Sequence, residues 1–278
     1  MLSLVHLVAA YRTSRRMPSI LMSCSSARSS VANLVCSLPS STDIDGKLSP
    51  CHAESFHPVN LVSEVTIVSA ATLTDAQLEA LAPRVTELTN WAYRGKHEGG
   101  DERAWTGERH LLSGIRTTEE SVRAMLASIK ACGPQEEAML LAVSRDMPGE
   151  SSGDSTAALQ PSQLLGAIHV TRPEGALGEA ELGFFSVDPD LQGEGVGGKL
   201  LHAAQRHASE AMKVSSASLW VISVRSELIA WYERKGFVRT QQTAPFPSAA
   251  KNVGKPRSGE DLEFIRMEKQ LEAGGQGR

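Results

Sequence analysis

The stretch Val187-Asp188-Pro189-Asp190-Leu191-Gln192-Gly193-Glu194-Gly195-Val196-Gly197-Gly198-Lys199-Leu200 decides the fold. It leaves an apolar strand-like run, crosses a glycine-rich turn and enters a segment where Val196, Leu200, Ala204 and Ala208 recur at helical period. Glycine has no Cβ, so its backbone can approach a ligand closely, and the free N–H groups at a helix start attract an anion. Gly193, Gly195, Gly197 and Gly198 at such a junction predict a phosphate cradle. A glycine-rich connector without a ligand is the plain alternative.

Two nucleotide patterns overlap on these residues. Gly193, Gly198 and Lys199 fit most of a P-loop, but Leu200 stands where a hydroxyl must hold magnesium. Gly193, Gly195 and Gly198 fit the dinucleotide fingerprint, yet five residues separate the strand from the first glycine. The following strand ends Val224-Arg225, with no acid for a ribose; Arg225 leaves an NADP-dependent oxidoreductase open through a 2′-phosphate.

Working outward, Val65, Ile67 and Ser69 open an alternating strand. Thr74 with Gln77 forms a capping box before a helical stripe from Leu78 to Trp91, in which Pro83 predicts a kink or break. Thr117 with Glu120 repeats the cap, and Val122, Met125, Leu126 and Ile129 form a second stripe. Strands are expected at 138–144, 164–171, 181–187, 218–224, from 237 and at 262–267, with a short helix at 227–235. The order is β-α-α-β-β-β-α-β-α-β-β, an α+β fold with a mixed sheet.

A third pattern, Gln192-x-x-Gly195-x-Gly197 after Val-Asp-Pro, resembles the acetyl-CoA motif of the GCN5-related N-acetyltransferase (GNAT) superfamily. The later block Leu228-Ile229-Ala230-Trp231-Tyr232-Glu233-Arg234-Lys235-Gly236-Phe237 is similar to that family's second motif. The resemblance implies an acyl-CoA N-acyltransferase fold and acetyl-CoA as co-substrate without a metal. It implies a cofactor site at Phe185, Val187, Gln192, Gly193, Glu194, Gly195, Val196, Gly197, Gly198 and Lys199. It also implies direct acetyl transfer to a primary amine, with Tyr232 as general acid and Glu181 as a candidate base. Members often carry Asn seven residues before the tyrosine; here that position is Arg225, a departure whose role stays open. The acceptor, a small-molecule or peptide amine, is expected near Tyr93, Arg94, Trp105 and Glu108. A non-catalytic CoA-binding or interaction module on the same fold is the alternative from another class.

Composition sets the outer bounds. The 278 residues are 41% hydrophobic and 22% charged with net charge −4, ordinary globular usage without the basic footprint of a nucleic-acid binder. No apolar run reaches the roughly 18 residues of a membrane helix. Cys24, Cys36, Cys51 and Cys132 form no C-x-x-C pair, and His97, His110 and His169 lack ligand spacing, so neither zinc nor a disulfide framework is expected. Up to Thr42 the chain has arginines and many serines but no acid, a composition like an organellar transit peptide. Residues 1–60 are therefore read as a disordered segment, either targeting (mitochondrial or another organelle) or a plain tail on a cytoplasmic protein. An over-extended start is the further alternative. Residues 61–272 form the acetyltransferase domain and 273–278 a tail, in a monomer or homodimer.

Overall fold

The computed structural model describes residues 64–96, 106–144, 159–176, 178–246, 254–257 and 261–272. The expected transit segment and the C-terminal tail lie outside the described residues, as do Trp105 and His97. In chain order the elements are β1 (Val65–Ser69), α1 (Asp75–Arg94), β2 (Leu112–Ser113), α2 (Glu119–Cys132), β3 (Glu137–Ser144), β4 (Leu164–Thr171) and β5 (Glu179–Val187). They continue with α3 (Val196–Glu210), β6 (Ser216–Ile222), α4 (Ser226–Arg234), β7 (Val238–Pro245), β8 (Lys255–Pro256) and β9 (Glu263–Gln270). Seven strands form one mixed sheet in the order β1-β3-β4-β5-β6-β9-β7. Every pairing is antiparallel except β5 with β6. The α+β architecture follows the expected order, with two short strands added: β2 and β8 pair only with each other.

Strand β3, second from one edge, is continuously apolar for a reason visible in its packing. Leu140 and Ala142 join the core under α3, while Met139, Leu141 and Val143 join the core under α1 and α2, so both faces are covered. Helix α3 packs close enough on β4 that a Cβ at Gly166 would lie 2.8 Å from Leu200 Cδ1 and from Ser186 O. That contact requires glycine.

Helix α1 starts on the Thr74–Gln77 capping box and runs unbroken through Pro83, whose side chain is exposed. The expected break does not occur, because the carbonyl freed by proline lies on the solvent side, where water can satisfy it. The cap of α2 is Thr118 rather than Thr117; its side chain accepts from Ser121 N. Thr117 is held instead by Asn90, whose Oδ1 accepts from the amides of Arg116 (2.7 Å) and Thr117 (3.1 Å). Among the described residues no helix is long and apolar enough to cross a membrane.

Candidate active site

The parallel pair supplies the opening. Register between β5 and β6 runs only from Glu179–Ser216 to Glu181–Ser218, although β5 continues to Val187 and β6 to Ile222. Beyond the last pair the strands part, and a cleft of about 520 Å³ opens between the end of β5 and α4. A bulge on β5 accompanies the parting: Phe184 and Phe185 together oppose Ile168 of β4, and Phe184 adopts φ +48°. A left-handed conformation costs a non-glycine residue about 1–2 kcal/mol. Burial of the Phe184 ring against the α1–α2 core opposes that cost.

The glycine turn is anchored from α1. Asp188 pairs with Arg84 at 3.2 Å and with Lys96 at 2.6 Å, and Lys96 also pairs with Asp190. Gly193 and Gly195 have φ +96° and +84°, and a Cβ on either would meet nothing within 4 Å. That space belongs to the cleft. The first amides of α3 have no intrahelical acceptor and carry the positive end of the helix dipole. Lys235 Nζ lies 3.7 Å from where a Cβ would stand on Gly198, so a side-chain cation joins the helix start. Gln192 donates to Thr106 Oγ1 at 2.8 Å, while its buried Oε1 has no partner.

At the inner end the cleft meets a second cavity of about 60 Å³; Tyr93, Glu108, Leu228 and Tyr232 line both. Tyr232 packs edge-on against Trp231 and Phe237, at centroid distances of 5.0 and 5.7 Å. Burial, helped by Tyr93 and Glu108 against the opposing pull of Arg225, holds its phenol well above the ordinary tyrosine range. Burial likewise raises Tyr93, with Arg116 pulling it down. Both phenols therefore bind protons more tightly folded than unfolded. Their contribution to stability is full below about pH 10 and is lost above it, so the melting temperature should fall as pH passes roughly 10. A melting series from about pH 8 to 11 checks this.

Glu108 is clamped between arginines, with Arg94 Nη1 at 3.2 Å and Arg225 Nη1 at 3.7 Å. Arg225 is 3% exposed and also donates to Thr106 O at 3.1 Å. It is a strut tying the end of β6 to the 106–108 loop, and the 2′-phosphate role that kept an NADP reading open has no accessible group to perform it.

Seven of the expected cofactor residues line the cleft: Phe185, Val187, Gln192, Gly193, Gly195, Gly197 and Gly198. Glu194 and Lys199 are exposed outside it, and Val196 is buried in the core beneath α3. Glu181 sits at the last β5–β6 pair, outside the lining; the carboxylates that do line the cleft are Glu108 and Glu227. Tyr93 and Glu108 are present as expected, whereas Arg94 spends its guanidinium on Glu108, Gly114 O and Tyr93 O. Sequence reasoning missed Arg234, Lys235 and Arg116. The first two stood inside the second motif, where they read only as a basic helix end before Gly236; Arg116 carried no signal.

Residues 154–239 match the family profile described as "Acetyltransferase (GNAT) domain". No curated protein matches the chain. Among solved structures, a protein assigned as an acetyltransferase from Acinetobacter baylyi ADP1 aligns with TM-score 0.51 and 17% identity, over 77% of this chain and 97% of that one. The GNAT-family acetyltransferase from Streptococcus pneumoniae aligns with TM-score 0.47 and 14% identity, over 75% and 100% of the two chains. A protein from Salmonella typhimurium solved with its cofactor acetyl-CoA aligns with TM-score 0.46 and 16% identity, over 78% and 99%. The glycine turn and the parted strands fall within the matched residues, so from β4 to the start of β7 this chain is similar to the GNAT acetyltransferase domain.

Proposed function

We propose that this protein transfers an acetyl group from acetyl-CoA directly to a primary amine. The observation that carries the reading is the cleft beside the end of β5 where it leaves β6, walled by the open glycine turn, the start of α3 and α4. The residues present suit the co-substrate. Space over Gly193 and Gly195 leaves backbone amides open to a pyrophosphate, with Arg234 and Lys235 lining the same cleft as cations. The orphan Oε1 of Gln192 suits an amide N–H of a pantetheine arm, and the backbone at Phe185 and Val187 offers strand-like partners for it. When bound, acetyl-CoA supplies an activated acyl carbon for a neutral amine to attack.

Direct transfer fits the lining: among its described residues there is no cysteine or serine, and the Thr106 hydroxyl is spent on Ala92 O and Gln192. Tyr232 stands where the two cavities meet and stays protonated, so it is placed to donate toward a departing sulfur. Its raised pKa makes full proton transfer to a thiolate of pKa about 8.5 uphill. The expected contribution is therefore near the lower end of the 10²–10⁴-fold range of positioned acids. Tyr232→Phe keeps the edge-on packing and removes only the hydroxyl. In steady-state kinetics kcat should fall about 100-fold with acetyl-CoA affinity unchanged. A loss below about threefold would make Tyr232 a packing residue. Tight acetyl-CoA binding with no acetylation across a broad amine panel would instead indicate a CoA-binding module.

A further inference from the structure

We propose that the small cavity behind Tyr232 binds an anionic group on the acceptor, with Arg116 as its counter-ion, so that the preferred acceptor is an amine carrying a carboxylate. The inference rests on the acetyltransferase reading above and adds the substrate class. Arg116 is only 6% exposed and lines this cavity. Its guanidinium carbon lies 4.9 Å from the Tyr93 ring centroid and 5.9 Å from that of Phe184. Those faces offset part of the cost of burying the charge, but they offer no oxygen to the five N–H donors. Among the described residues the guanidinium makes no hydrogen bond or ion pair.

The local charge balance points the same way. Two buried arginines (116 and 225) and the partly buried Arg94 surround one carboxylate, and that carboxylate is already shared by Arg94 and Arg225. Arg116 is the unneutralised member, and a buried unpaired charge is strongly unfavourable. Its backbone is fixed by the 2.7 Å bond to Asn90, so the loop holds it in place. The volume of about 60 Å³ compares with roughly 30 Å³ for one water, enough for a carboxylate in place of two waters. The remaining wall is apolar, with Leu112, Trp220, Phe246 and Phe264, which suits the hydrocarbon part of such an acceptor.

The test pairs α-, β- and γ-amino acids with the amines that lack only the carboxylate, for wild type, Arg116→Gln and Arg116→Met. Wild type should prefer the carboxylated member of at least one pair. Both variants should lose about 10- to 100-fold in kcat/KM on that member, residing in KM, and less than twofold on its uncharged partner. Arg116→Met keeps the chain length without the charge and should melt no lower than wild type, which a merely structural arginine would not allow. Equal losses on both members of each pair, or a wild-type preference for the uncharged ones, overturn the proposal. Acetyl-CoA binding, followed separately by calorimetry, should be unchanged, and its absence in wild type would count against the acetyltransferase reading alone. N-acetyl amino acids titrated onto the CoA-free protein decide the anion site independently. Binding lost in Arg116→Gln supports it, and no binding, or binding the variant retains, overturns it.

Discussion

Gly195→Asp is expected to lower acetyl-CoA affinity by at least 100-fold in calorimetry while leaving the fold nearly intact. Gly195 is the residue before α3 and has φ +84°, and its missing side chain faces open space. An aspartate there bears a strain of about 1–2 kcal/mol but meets no protein atom. It also brings no capping bond, because a side-chain cap needs the extended backbone of an ordinary N-cap. The loss falls on the ligand. A carboxylate about 4 Å from a phosphate is opposed by about 4 kcal/mol at an effective dielectric of 20, before any steric term. Gly175→Asp is the matched control: φ is +77°, space is open, and the turn between β4 and β5 does not line the cleft. If Gly195→Asp binds acetyl-CoA like the parent, the turn is not the cradle.

Glu108→Ala should be the most destabilising single change at the site. The carboxylate sits between Arg94 and Arg225, with side chains 10% and 4% exposed, and its removal leaves both guanidiniums buried without it. Breaking a buried pair by removing one partner costs about 3–5 kcal/mol. In a domain of this size that lowers the melting temperature by roughly 6–20 °C. Glu108→Ala combined with Arg225→Met should recover part of the loss, because the strut then no longer carries a stranded charge. A shift under about 2 °C in the single variant would mean that solvent already screens the cluster.

What the sequence made legible is local. Periodicity and caps located the four helices and the strands of the main sheet, with ends displaced by a few residues, and the glycine spacing located the turn that lines the cleft. What it could not show arises from tertiary closure. The pair β2–β8 holds two residues per strand, too short for any pattern, and exists because the 111–113 segment meets the chain before β9. Arg116 stands in Gly114-Ile115-Arg116-Thr117, which reads as an ordinary exposed turn; Asn90 on α1 turns it inward. The bulge at Phe184 was hidden as well, since a phenylalanine gives no hint of positive φ, least of all beside Gly183. Arg225 read as a possible phosphate ligand because only the fold brings Glu108 and Thr106 to it.

That bulge makes the position of the site a matter of parity. Ala180 and Leu182 face the core beneath α3, but Phe184 faces the opposite core, and Phe185 and Val187 return to the α3 side. Ser186 correspondingly meets Thr89 of α1 at 3.3 Å. Up to Leu182 the even-numbered residues look toward α3; after the extra residue the odd-numbered ones do. The same residues laid as a regular strand, with no bulge, would keep every pairing before Phe184 and send Val187 to the other side of the sheet. The glycine turn begins at the next residues, so the bulge, by absorbing one residue, chooses the face of the sheet on which the turn is presented.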